Sequence, residues 1–274
     1  MADQTSADSA KTGDTDSNAA FVRHPSDPQV REVTVDDISM ALSQGLRDFR
    51  AAPMFGLVFG GIYALGGMAI LALVSAYKLV FLVYPLAAGF ALVAPFVAIG
   101  IYQVSRMLER GETPTWSSIL GSIPRHGRRQ IGYMALVAVF GLILWVYIAG
   151  FLYALFFGLR PADFPDFIGT IVSTPRGIAF LIIGNAFGAL IALVLFSISV
   201  VSYPLLLDRD VDFVTAMITS VRAVLAAPGP MVGWGIFIAC LVGLAILPMF
   251  LGLLLVLPII GHATWHLYRR AVEP

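Results

Sequence analysis

Asp37-Ile38-Ser39-Met40-Ala41-Leu42-Ser43-Gln44-Gly45-Leu46-Arg47-Asp48-Phe49-Arg50-Ala51-Ala52-Pro53 is a sentence that this chain writes twice. Residues 212–228 read Asp-Phe-Val-Thr-Ala-Met-Ile-Thr-Ser-Val-Arg-Ala-Val-Leu-Ala-Ala-Pro and align on it without a gap. Asp37, Ala41, Arg47, Ala51, Ala52 and Pro53 are identical to Asp212, Ala216, Arg222, Ala226, Ala227 and Pro228. Each copy is followed by apolar sequence long enough to cross a bilayer. The pattern predicts internal repeats of a surface helix followed by a membrane hairpin.

The apolar sequence sets the number of spans. Mean hydropathy is +0.86 and only 12% of residues are charged, far from a soluble globular composition. Residues 54–77, 79–105, 130–159 and 177–207 contain no Asp, Glu, Lys or Arg. A helix needs about 20 apolar residues to cross the hydrocarbon, so each run supplies one span. The run 223–268 is equally free of charge, and as one helix it would be roughly 69 Å long at about 1.5 Å per residue. It must fold back, and Pro248 is the natural place. The expected total is six transmembrane helices.

Charge orients them. With both ends on one side, that face collects fourteen Lys and Arg, while the other holds Lys78, Arg160 and Arg176. The positive-inside rule then places both termini in the cytoplasm. Residues 1–32 read as a disordered polar tail and 33–274 as the membrane domain. No cleavable signal peptide is expected in the tail. One cysteine, Cys240, within a span, leaves no disulfide framework.

Ile38, Leu42, Leu46 and Phe49 recur at helical spacing opposite Asp37, Gln44, Arg47, Asp48 and Arg50. Residues 36–50 therefore read as an amphipathic helix on the cytoplasmic interface, with Asp36 or Asp37 as its N-cap. The copy at 212–226 offers an Asp212 cap and the apolar positions Phe213, Met217, Val221 and Val224. A third, weaker copy starts at Thr115, with Trp116, Ile119, Leu120 and Ile123 as its stripe. Pro95, Tyr102 and Arg106 have the spacing of Pro258, Trp265 and Arg269. Three units follow, at roughly 36–110, 115–208 and 212–270.

Candidate chemistry is sparse. His262 and His266 lie four apart on one helical face, a spacing at which two imidazoles can share a metal. The glutamate of an H-E-x-x-H site is absent and no further ligand is in view, so the pair reads as an interfacial anchor near Tyr268, Arg269 and Arg270. Four histidines in all, with His24 in the tail and His126 in a loop, give no basis for a haem. Arg106, Arg110, Trp116, Arg125, Arg128 and Arg129 form a basic segment suited to anionic headgroups or a partner protein. Gln103, Asn185, Ser199 and Ser202 are the polar positions that would line a cavity or serve helix packing. Gly56/Gly60 and Gly184/Gly188 suggest close helix contacts. No nucleophile elbow, phosphate-binding loop or carboxylate pair is present, so neither a cofactor nor an enzymatic activity is expected.

The run Pro258-Ile259-Ile260-Gly261-His262-Ala263-Thr264-Trp265-His266-Leu267-Tyr268-Arg269-Arg270-Ala271 resembles a known family, as does Val33-Thr34-Val35-Asp36-Asp37-Ile38 leading to Gly45-x-x-Asp48-Phe49. The likeness is to the bacterial integral membrane proteins of DUF2189, a domain of unknown function. It implies a six-span protein of the inner membrane, and carries no catalytic residue with it.

The sequence thus points to an all-α, polytopic membrane bundle. Its expected role is a non-enzymatic scaffold or accessory protein acting through lipid and protein contacts, with a passive transporter, channel or lipid-handling protein as the alternative. Expected partners are membrane lipids, and another membrane complex or a second copy of the chain, but no nucleic acid.

Overall fold

A computed structural model describes residues 28–77, 97–121, 125–158 and 164–273. The described chain is all-helical. Its first two helices are α1 (Val35–Ala51) and α2 (Pro53–Tyr77), followed by α3, whose described part is 97–109. Next come α4 (Trp116–Gly121), α5 (Arg125–Phe157), α6 (Phe164–Ser173), α7 (Pro175–Ser199) and α8 (Ser202–Asp208). The chain closes with α9 (Phe213–Ala226), α10 (Pro228–Ile246) and α11 (Leu253–Ala271).

Four stretches are long and apolar enough to cross a membrane: Pro53–Leu73, Gly127–Phe157, Pro175–Asp208 and Pro228–Ile246. Most of the expected second span, 79–105, lies outside the described residues, and its end falls in α3. The expected sixth span coincides with α11, whose two histidines and two arginines make it less apolar than those four. The expected fold-back is present: residues 247–252 turn around Pro248, with Met249 and Phe250 at positive φ, and α10 packs on α11. Leu136, Phe140, Tyr147 and Phe151 on α5 point outwards. A band of large apolar side chains facing away from the protein suits hydrocarbon surroundings. Between α5 and α7 the chain carries a ten-residue helix, α6.

Helix α11 is the hub, with α1 and α2 packed along it. Small residues permit this. A Cβ on Gly45 would come within 2.5 Å of the Ala263 nitrogen, and one on Gly60 within 2.8 Å of the Leu254 carbonyl oxygen. The close contact expected of Gly56 and Gly60 is therefore made on α11. Gly188 meets the Trp145 ring, whereas Gly184 has nothing near it. Around α11 the core gathers Trp234, Trp265, Tyr268, Met231 and Leu205, all fully buried.

The two sequence copies bend alike. Ala52 (φ −138, ψ 57) and Ala227 (φ −140, ψ 67) each end a helix, and the following proline starts the next. A proline at the first helical position forfeits no hydrogen bond and fixes the entry angle. Ala41, Gly45, Asp48 and Ala52 are buried in the first copy, and Ala216, Ser220, Ala223 and Ala227 in the second. Asp212 caps α9 through Val214 N–H and Thr215 N–H, as its sequence indicates. The cap of α1 is Thr34, not Asp36 or Asp37. Thr34 Oγ1 accepts from Asp37 N–H, while Asp37 accepts from Thr34 N–H, a closed capping box that begins before either expected cap.

Residues 28–32, assigned above to the tail, belong to the fold. Val30 bridges Val272 in antiparallel fashion, Arg31 N–H donates to Ala271 O, and Glu273 N–H donates to Gln29 O. The two ends of the described chain therefore lie together on one side.

Candidate functional site

The charged face read from residues 36–50 is not all wet. Asp48 sits on the buried side of α1 and is 4% exposed. One helical turn separates it from Gly45, whose contact with Ala263 brings α1 against the last turns of α11. There His266 Nε2 lies 2.6 Å from Asp48 Oδ2. His262, one turn back on the same face, is fully buried, and its Nδ1 lies 2.7 Å from Ser105 Oγ on α3. Ser105 also bonds to Asp48. His266, Asp48, Ser105 and His262 thus form one hydrogen-bonded chain across α1, α3 and α11. Burial pushes the Asp48 carboxyl up, but hydrogen bonds from His266 and Ser105 and the charge of His266 outweigh it and hold the group below the usual carboxylate range.

This corrects the interfacial reading of the two histidines. Neither faces headgroups, because α1 covers His266 and α3 covers His262. Among the described residues no cluster of three or more His, Cys, Asp or Glu side chains is arranged to hold a metal. His262 Nε2 is buried without a hydrogen-bond partner, as is Trp234 Nε1.

A second polar cluster closes the same end of the bundle. Arg106 Nε lies 3.2 Å from Asp208 Oδ1, and Arg269 Nη1 lies 3.2 Å from Asp208 Oδ2. Tyr268 donates its hydroxyl to Asp208, while Arg269 and Trp265 both donate to Glu109. The C-terminal ends of α3, α8 and α11 are tied through these groups. Partial burial around Asp208 makes the geometry of its pairs matter more than it would at a wet surface.

The remaining sequence candidates are dispersed. Arg106 points inward, as described. Arg110, Trp116, Arg128 and Arg129 stay exposed. Trp116 packs on Phe55 and Phe59, and Arg129 donates to the Tyr133 hydroxyl. The side chain of Arg125 lies outside the described residues. Gln103 is buried. Asn185 is exposed, lines an open cavity of about 470 Å³ between α5 and α7, and donates to Leu181 O within its own helix. Ser202 is buried and donates to Ile198 O. Ser199 lines a cavity.

Two cavities flank α11 on opposite sides, as positions 261 and 264 against 266 and 270 require at about 100° per residue. One, of about 310 Å³, is apolar and includes Tyr63, Tyr102, Phe196, Ser199, Tyr203 and Thr264 in its wall. The other, of about 650 Å³, is polar and lies between α1 and the last turns of α11, with Asp48 and His266 in its wall.

Apolar helices of spanning length, outward-facing hydrocarbon side chains and buried ion pairs gathered at one end define a polytopic integral membrane protein. The family model described as "Predicted integral membrane protein (DUF2189)" matches residues 83–208, and that match supports the resemblance read from the sequence. The Gly261-His262 to His266 run lies outside the matched stretch. No curated protein and no solved structure matches the chain.

Proposed function

We propose that this protein handles lipid without catalysis, as a six-span protein of the bacterial inner membrane with both termini in the cytoplasm. The observation that carries the reading is the apolar cavity beside α11. The core there is neither water-lined nor fully packed, which favours a lipid-holding role over a pure scaffold. Aromatic and aliphatic walls suit a hydrocarbon body, and a few hydroxyls can meet acceptor oxygens. Tyr102 brings such a hydroxyl, one with no hydrogen-bond partner among the described residues.

The architecture proposed with it counts residues 79–105 and α11 as the second and sixth spans. Pairing of Gln29 with Glu273 on one side is what an even number of spans requires. Three repeat units also account for a recurrent packing: α4 lies on α3, α9 on α7 and α8, and α1 on α11. In each case the surface helix of one unit rests on the second hairpin helix of the unit before, and the first rests on the last.

The test is native mass spectrometry of the full chain released from nanodiscs of bacterial lipid. Ala98→Phe, which fills the apolar cavity, should reduce retained lipid, whereas Gly132→Ala, with open space around it, should not. Unchanged retention in the Ala98 variant, with a stable protein partner co-purifying, would favour the scaffold instead.

A further inference from the structure

We propose that the polar cavity between α1 and α11 binds a phosphate group. The argument rests on which of its charges are already spent. Asp37 accepts from the backbone N–H and hydroxyl of Thr34 and lies 3.6 Å from Arg270. Asp48 is held by His266, and Glu109 by Trp265 and Arg269. Every carboxylate lining the cavity is thus engaged by the protein itself. Arg270 is engaged likewise, through Asp37 and Gln44.

Arg31 and Arg47 differ. Both line the cavity, and neither guanidinium makes a hydrogen bond or ion pair with any described residue, although Arg31 lies near enough to Asp37 to help hold its carboxyl down. Four arginines face three carboxylates, so the cavity keeps a positive excess located at those two side chains. A guanidinium offers a planar fork of donors and no acceptor, and its best complement is an oxyanion with several oxygens. The backbones that carry them are held in place. Arg31 is anchored by its N–H to Ala271 O, and Arg47 rides on α1, which the Gly45 contact locks to α11.

The position selects phosphate among oxyanions. Ala51, on the cavity wall, is two residues from Pro53, where the first span begins, and Met54, Leu57 and Val58 of its first turns are exposed and apolar. The cavity thus opens at the depth where phospholipid phosphates meet water. A lipid headgroup and a free phosphate compound offer the same chemistry to Arg31 and Arg47. The apolar cavity lies across α11, so this site stands or falls independently of the lipid-holding proposal above.

The test uses the full chain in nanodiscs of phosphatidylcholine, with and without phosphatidic acid. Inorganic phosphate is titrated by calorimetry, and retained phosphatidic acid is counted by native mass spectrometry. Binding to the wild type should fall roughly tenfold or more in Arg31→Gln/Arg47→Gln, since a charged hydrogen bond is worth about 1.5–3 kcal/mol. Arg50→Gln/Arg176→Gln, at exposed arginines outside the cavity, should bind as the wild type does. Both pairs of side chains are exposed, so thermal midpoints should not change. Retention of phosphatidic acid that millimolar inorganic phosphate does not displace identifies a headgroup site, and displacement identifies a site for free phosphate. The absence of both kinds of binding in the wild type, or equal losses in the two double variants, overturns the proposal.

Discussion

Asp48 on α1 and His266 on α11 meet at 2.6 Å across 218 residues of sequence, and neither is exposed. The pair fastens the first helix of the chain to the last. Removing one member of a buried pair strands the other without its partner, at a cost of about 3–5 kcal/mol. Asp48→Ala should therefore lower the thermal midpoint in detergent clearly, and Asp48→Ala/His266→Ala should lose less than the two single variants combined. Additive losses would show that the two side chains do not act on each other.

The same pair predicts a response to acid. The Asp48 carboxyl is held below its ordinary value of 3.8, so the folded state binds its proton less readily than the unfolded chain does. Its contribution is then complete above the unfolded value and is lost as pH falls through the folded one. Stability should be flat in this respect down to about pH 5 and decline below about pH 4. Asp48→Asn should lack that part of the decline. The measurement is the thermal midpoint against pH for both proteins.

Glycine at position 45 is set by the approach of two helices. A Cβ there would meet the Ala263 nitrogen at 2.5 Å and its Cα at 2.8 Å, and backbone atoms cannot swing aside as a flexible side chain can. Gly45→Val should force α1 away from α11, costing about 1–3 kcal/mol by overpacking. A spin label at Leu42 should then become more mobile in the variant. Gly132→Ala, with open space around it, is the neutral control. An unmoved label and an unchanged midpoint would mean that the helices can separate at no cost.

Hydrophobicity and repetition made most of the helices legible. Charge-free runs located the apolar stretches, and Ala-Ala-Pro marked both places where a surface helix ends and a span begins. Pro248 marked the fold-back. The candidate site was hidden for a physical reason. Amphipathic reading assigns a charged residue to the wet face, yet the buried side of α1 is built from the small residues Ala41 and Gly45, which leave room for a close neighbour. A small-residue face followed one turn later by a carboxylate signals a buried polar pair, and the second copy, with Ala223 in place of Asp48, lacks it. His266 as partner was beyond reach, because only the packing of α1 on α11 joins positions 48 and 266.

Topology gives the last prediction. Gln29 and Glu273 share a backbone hydrogen bond, so the two ends of the described chain must lie on one side of any membrane that the helices cross. By the positive-inside rule, the arginine excess predicts that this side is the cytoplasmic one. Single cysteines placed in a Cys240→Ser background should react with a membrane-impermeant maleimide from outside the cell at Asp163, and only after permeabilisation at Arg128. A probe at Glu273 should behave like the one at Arg128. The contact between Gln29 and Glu273 makes the second comparison the sharper one, since no odd number of crossings can bring those residues together. Labelling of Glu273 and Asp163 alike in intact cells would remove the even span count, and with it the pairing of α10 and α11 as a membrane hairpin.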